Sequence, residues 1–273
     1  MQEDYKPAYI PCRLCFEQQK KKILTGVPIG YLEQVFPTAS GEKRVVLVHC
    51  KCHEKYLNDV RSVAQCKRWG INPMYLTYSI SSDYVGTKSM YSVRCLEQYV
   101  SQFETESPFA HGMLYLFGDN GTQKTSIAKW VGASLIRRNF TVRYLIMNDL
   151  TRILMDAERD EEKLAEVKLL LTADCLIIDE AFDKDKVTIY RSGFQIPFLD
   201  SFIRKRFESG KGIIFISNVP PEAIEENGYT KSIQDFVTRN LLKSQATLLF
   251  EDNYIFNKET FTDGGLFHAK SNG

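Results

Sequence analysis

The stretch Gly118-Asp119-Asn120-Gly121-Thr122-Gln123-Lys124-Thr125, followed by Ser126, lies between the apolar run MLYLF at 113–117 and a segment with helical spacing, SIAKWVGASLIRRN at 126–139. A short apolar run that stops at a glycine reads as a buried strand, and the spacing beyond it as an amphipathic helix. Strand, glycine-rich turn and helix in that order let successive backbone N–H groups surround phosphate oxygens at a helix N-terminus. Lys124 then has the position to neutralise β/γ-phosphate charge, and Thr125 the position to bring a hydroxyl to Mg²⁺. Residues Gly118 to Ser126 are therefore the expected nucleotide-binding loop. The pattern G-x-x-x-x-G-K-[ST] places glycine immediately before the lysine, and this chain has Gln123 there. A Cβ at that position restricts the backbone and is expected to crowd the β-phosphate.

Working outward, TVRYLIM (141–147), DCLIIDE (174–180) and GIIFIS (212–217) read as further strands. Helical spacing runs through 92–103, through the charged stretch 149–171 and through 198–209. Strands that are apolar on both faces and alternate with helices predict an α/β fold, a parallel sheet covered by helices, with ligands at the carboxyl ends of the strands. Asp179 and Glu180 end the strand LIID and resemble a Walker B pair. Asp179 would hold Mg²⁺ through water, and Glu180 would orient or deprotonate the attacking water. Asn218, just past GIIFIS, is placed either to contact the γ-phosphate or attacking water or simply to start the turn NVPP. Arg239, in DFVTRNLL, is either a surface ion-pair residue or an arginine finger that completes a neighbour's site.

The order GDNGTQKT, LIIDEAF, FIRKRFESGK, IIFISN and FVTRNLL resembles the AAA+ ATPases of the DnaC/DnaI helicase-loader and IstB group, over about residues 70–250. The resemblance implies a P-loop AAA+ core that uses ATP and Mg²⁺. It implies that Ser217 and Asn218 form sensor 1, that Arg239 is the finger, and that subunits self-associate into a ring, spiral or filament. The charged helices at 149–170 lie where such loaders carry an insertion associated with single-stranded DNA and assembly. The chain departs from the pattern at Gln123, and EDNYIFNK stands where a sensor 2 arginine is expected. Both departures bear on hydrolysis, which is expected to be weak.

Before residue 70 the chain has another character. Cys12 and Cys15 form a C-x₂-C, and Cys50 and Cys52 a C-x-C. Four thiolates enclose a tetrahedral Zn²⁺, and a C-x₂-C turn presents two of them with the right bite. His49 and His53 flank the second pair, so a site with three Cys and one His is an alternative. Cys66, Cys95 and Cys175 have no spacing partners and read as core thiols. The resemblance adds that loaders of this group often carry a small N-terminal zinc-binding module that docks on the replicative helicase. The expected organisation is a zinc-binding, helicase-interacting module at 1–68 and the ATPase domain at 69–273, with a connector at 69–89.

Composition narrows the function classes. Lys and Arg number 35 against 34 Asp and Glu, a net +1, so bulk charge makes no case for nucleic acid or membrane, and such binding must come from local patches. Basic clusters occur at Lys20–Lys22, at Arg137, Arg138 and Arg143, and at Arg204, Lys205 and Arg206. Each is either a solvated face or a phosphate track along single-stranded DNA. Seven cysteines, odd in number, do not form a secreted disulfide framework, and no apolar run approaches a bilayer span. MQEDYKPAYIPCRLC lacks the marks of a secretory signal, so a cytoplasmic location without membrane contact is expected. The expected function is ATP-dependent loading of a replicative hexameric helicase onto single-stranded DNA. The alternatives are an IstB-like transposition ATPase that binds duplex DNA and recruits a transposase, and an adaptor that binds nucleotide with little hydrolysis.

Overall fold

The computed structural model describes residues 5–13, 15, 31–37, 43–78, 89–103, 112–186, 193, 195–244 and 247–251. Lys20–Lys22, most of EDNYIFNK and the second half of the connector lie outside the described residues. The chain divides into two compact units, Asp4–Gln65 and Cys66 onward.

In the first unit, β1 (Tyr31–Pro37) pairs antiparallel with β2 (Lys43–His49), Tyr31 opposite His49 and Val35 opposite Val45. Cys50 follows at once, and α1 (Lys51–Arg68) begins at the next residue; the division between the units falls inside this helix. Neither the hairpin nor the helix is legible in the sequence pattern, because the strands are not bounded by a two-residue turn. Among the described residues of this unit, the buried apolar side chains are Cys15 and Cys50.

The second unit opens with a short 3₁₀ turn at Pro73–Leu76, capped by Asn72 Oδ1, which accepts from Met74 N at 2.9 Å. Helix α2 (Met90–Gln102) buries Val93, Leu96 and Tyr99 at the spacing read from the sequence. Five strands follow: β3 (Met113–Phe117), β4 (Val142–Ile146), β5 (Cys175–Asp179), β6 (Gly212–Ser217) and β7 (Thr247–Leu249). They form one parallel sheet in the order β4-β5-β6-β3-β7. Every residue of β5 and β6 is buried, which requires cover on both faces. Helix α3 (Lys124–Arg137) packs across β4, β5 and β6, while α6 (Gln195–Glu208) packs on β6 and α7 (Lys231–Ser244) on β3.

The charged stretch at 149–171 is two helices, α4 (Met147–Asp156) and α5 (Glu161–Thr172). The break is made by Asp160, whose Oδ1 accepts from Glu162 N at 2.8 Å and Lys163 N at 3.3 Å, the bonds of an N-cap. β7, three residues long, is visible only through its pairing with β3. No helix among the described residues is long and apolar enough to cross a membrane.

In two of the basic clusters, several side chains turn inward to carbonyls and rings. Arg206 is fully buried, and its guanidinium donates to the carbonyls of Leu170, Leu171, Ala173 and Gly212, closing the C-terminal end of α5. Burial pulls its pKa down to about 10. Arg204 pairs with Asp200 at 2.7 Å and lies over the Phe236 ring, so only Lys205 of that trio is exposed and free of such contacts. Arg143 is buried against the Trp69 ring, and Arg137 and Arg138 donate to the carbonyls of Leu76 and Val100. Helical and strand periodicity carries no information about which long basic side chains turn inward to satisfy carbonyls.

Candidate nucleotide site and cysteine cluster

The loop after β3 is shaped by two backbone requirements. Gly118 has φ 149°, and a Cβ there would lie 2.1 Å from the Phe250 carbonyl oxygen, because Phe250 N bonds Phe117 O as β7 ends. Gln123 has φ 62° and ψ 18°, the left-handed conformation that glycine adopts without penalty. The sequence departure at this position therefore does not change the course of the loop. Gln123 follows the path of a glycine and carries the strain, while its Oε1 accepts from Ser126 Oγ at 2.9 Å.

Lys124 is buried, and its ammonium donates to Gly118 O and Asp119 O, each at 2.8 Å, and to Thr122 Oγ1 at 3.3 Å. Burial lowers its pKa, with the charges of Asp179 and Asp119 opposing. Thr125 Oγ1 donates to Asp179 Oδ2 at 2.8 Å. That contact joins the phosphate loop to the end of β5 and sets a hydroxyl beside a carboxylate, the hard oxygen donors that suit Mg²⁺. Glu180 leaves the strand with φ 53°, and its N–H donates to Asp179 Oδ1 at 2.8 Å.

One cleft of about 240 Å³ gathers these groups: Asn120, Gly121, Gln123 to Ser126, Asp179, Glu180, Ser217 and Asn218 all line it. Ser217 is buried, with its hydroxyl donating to Ala181 O and accepting from Val219 N at 3.0 Å, so it ties the end of β6 to the turn after β5. Asn218 Nδ2 donates to Asp183 Oδ2 at 3.3 Å. Arg239 is exposed on α7 and is not among the cleft residues. Gly118, Asp119 and Thr122 form the base and flank of the loop through their bonds to Lys124.

Three residues of the site escape sequence reasoning. Tyr144, on β4, donates its hydroxyl to Asp179 Oδ2 at 2.7 Å. Burial and the Asp179 charge push its pKa well above the ordinary tyrosine value, so it is a fixed donor. Lys186 lines the cleft and lies 3.8 Å from Glu180. Asp183 holds Asn218. The only signal for Tyr144 is its place near the carboxyl end of a strand adjacent to the Asp179 strand; Asp183 and Lys186 lie in a turn with no pattern.

In the first unit, Cys12, Cys15, Cys50 and Cys52 bring their four sulfurs within 4.8 Å of one another. A tetrahedron of thiolates about 2.3 Å from zinc has its sulfurs roughly 3.8 Å apart, so this donor set fits a structural Zn²⁺. His49 and His53 are not part of the set among the described residues; their rings stack on each other with centroids 5.0 Å apart, beside Tyr31. Tyr9 Oη lies 3.3 Å from Cys52 Sγ. Burial pushes the Cys15 thiol up, whereas at Cys52 hydrogen bonds from its neighbours outweigh burial and bring the thiol down to about 6. Of the remaining cysteines, Cys66 and Cys175 are fully buried and Cys95 is half-buried.

No curated protein sequence matches the chain. Among solved structures, AMPPCP-bound DnaA from Aquifex aeolicus aligns with a TM-score of 0.53 at 14% identity, over 66% of this chain and 51% of its own. The structure of DnaI aligns at 0.50 and 15% identity, over 66% of this chain and 90% of its own. That of the DnaC helicase loader aligns at 0.50 and 16% identity, over 65% and 99%. The chain spans about half the length of the DnaA structures, and at these identities the likeness is one of fold. Residues 94–222 match the family described as IstB-like ATP binding protein, the segment that holds the phosphate loop, Asp179, Glu180 and Asn218. Over residues 94–222, a little under half of its length, the chain is thus similar to IstB-like ATP binding proteins, and its parallel sheet shares the fold of the DnaI and DnaC structures.

Proposed function

We propose that this protein is an ATPase that loads a replicative hexameric helicase onto single-stranded DNA. The observation that carries the ATPase assignment is the cleft in which Lys124, Thr125, Asp179, Glu180 and Asn218 meet. Gly118 to Ser126 bind the triphosphate through loop N–H groups and the Lys124 ammonium. Thr125 and Asp179 would hold Mg²⁺, which when bound offsets the charge that develops on the phosphate oxygens. Glu180 orients the attacking water, and Asn218, released from Asp183, meets the γ-phosphate or that water. Arg239, exposed on α7, supplies a cation to a neighbouring subunit's cleft in a ring, spiral or filament.

The loading role draws support from the fold shared with DnaI and the structure named as the DnaC helicase loader, and from the cysteine cluster. The first unit, held by Zn²⁺ on Cys12, Cys15, Cys50 and Cys52, docks on the helicase; Val35 and Val45, paired across the hairpin and both 56% exposed, are apolar side chains open to a partner. Work on replicating DNA places the protein in the cytoplasm.

The deciding experiment is co-purification of the full-length protein with a replicative hexameric helicase, alongside ATPase rates with and without single-stranded DNA. The helicase is expected to be retained by the wild type, and Lys124→Ala is expected to lose nearly all ATP turnover. Equal turnover by the wild type and Lys124→Ala, both above background, would show the engine to be misplaced. Mixing Arg239→Ala with Glu180→Gln subunits is expected to restore part of the activity; absence of complementation removes the trans role. The family match itself favours a second possibility, a transposition ATPase of the IstB type. Protein that ignores the helicase but retains duplex DNA moves that function ahead.

A further inference from the structure

Among the described residues, the Asp179 carboxylate accepts three hydrogen bonds. Two come from the phosphate-site motifs, Thr125 Oγ1 to Oδ2 at 2.8 Å and Glu180 N to Oδ1 at 2.8 Å. The third comes from Tyr144, whose hydroxyl meets Oδ2 at 2.7 Å and belongs to no motif. The sheet register explains the reach: Ile146 is opposite Asp179 and Tyr144 is opposite Ile177, so Tyr144 stands two residues back along β4, on the same face as the carboxylate. On the other side of the phenol, Lys129 Nζ lies 4.5 Å from the ring centroid, a cation over the ring face that holds its plane.

We infer that Tyr144 is a positioning residue that fixes the Asp179 carboxylate for Mg²⁺. Thr125 does not do this alone, because a single O–H bond to one oxygen sets a distance but leaves the plane of the carboxylate free to turn. With the phenol bound to Oδ2 and the Glu180 N–H to Oδ1, both oxygens are anchored and rotation of the carboxylate is blocked. Among the described residues, removing the phenolic hydroxyl leaves Oδ2 with Thr125 as its one direct donor. Hydrogen-bonding partners of a metal-binding side chain typically change metal affinity by tenfold or more when lost. This role rests on the assignment of the cleft as the ATP–Mg²⁺ site.

The test is a titration of the full-length protein with a fluorescent ATP analogue, first without divalent metal and then at increasing MgCl₂. The Mg²⁺ concentration that gives half of the metal-dependent gain in affinity is expected to rise roughly tenfold in Tyr144→Phe, with metal-free nucleotide affinity unchanged. In an Asp179→Asn background the same substitution is expected to add nothing, since it acts through that carboxylate. An unchanged Mg²⁺ requirement in Tyr144→Phe overturns the inference. So does an equal loss of affinity with and without metal, which is the mark of packing alone. A wild type that binds no nucleotide overturns the ATP-site assignment itself, and Tyr144 with it.

Discussion

Gln123 shows how one residue is read differently by its neighbours in the chain and by the backbone it occupies. Placed where the phosphate-loop pattern has glycine, it nevertheless adopts φ 62°, and Glu180 across the cleft has φ 53°. Non-glycine residues in this region are strained by about 1–2 kcal/mol each, and two of them facing one cleft mark a place where the surrounding contacts overrule local preference. The Ser126 hydroxyl bonded to Gln123 Oε1 is one such contact. Gln123→Gly is therefore expected to raise stability by about 1 kcal/mol, the relief of strain exceeding the extra freedom of glycine in the unfolded chain. It is also expected to tighten nucleotide binding by clearing the Cβ. Chemical denaturation and nucleotide titration check the two effects separately; lower stability would mean that the Ser126 contact outweighs the strain.

At the scale of elements, the basic cluster at 204–206 is divided by a single helix face. Arg206 points into the core at the end of α5, where carbonyls and the negative end of the helix dipole receive the cation. Lys205, one position away, is exposed. Arg206→Ala would leave the carbonyls of Leu170, Leu171, Ala173 and Gly212 without this donor, and is expected to cost about 3 kcal/mol or more. Lys205→Ala is expected to change stability by less than about 0.5 kcal/mol. Denaturant midpoints with unchanged slopes measure both, and a mild effect at Arg206 would mean that water replaces the guanidinium. The same scale explains α4 and α5: their charged residues make one pattern, but Asp160 followed by two glutamates is a helix start, and the cap prevails over the continuity of spacing.

For the whole molecule, the two units differ in what holds them together. The second buries a parallel sheet between helices. The first, Asp4–Gln65, is of a size at which a hydrophobic core alone is marginal. Metal ligation supplies such a deficit. Purified protein is expected to contain one zinc per chain, and a strong chelator is expected to release it and expose the first unit to protease. Nucleotide binding in the second unit should survive that treatment. Metal analysis below about half an equivalent per chain would remove the zinc assignment; loss of nucleotide binding together with zinc would show that the units are not energetically separate.

Four of the five sheet strands, the loop after β3 and the Asp179-Glu180 pair were legible from local order, because buried parallel strands are continuous apolar runs and the phosphate-loop pattern is made of residues adjacent in the chain. The grouping of the four cysteines was legible as well, since their spacing is a local property; that their sulfurs come together without His49 or His53 is read from the side chains of the described residues. Other features depend on groups distant in sequence. Tyr144 reaches Asp179 only through the register of β4 on β5. Asp183 reaches Asn218 only because β5 and β6 end side by side. Arg206 finds its carbonyls only where α5 ends against α6. Periodicity states which face of an element is apolar, but not which polar side chain another element will satisfy. That depends on through-space distance, which is set when the sheet and its helices pack.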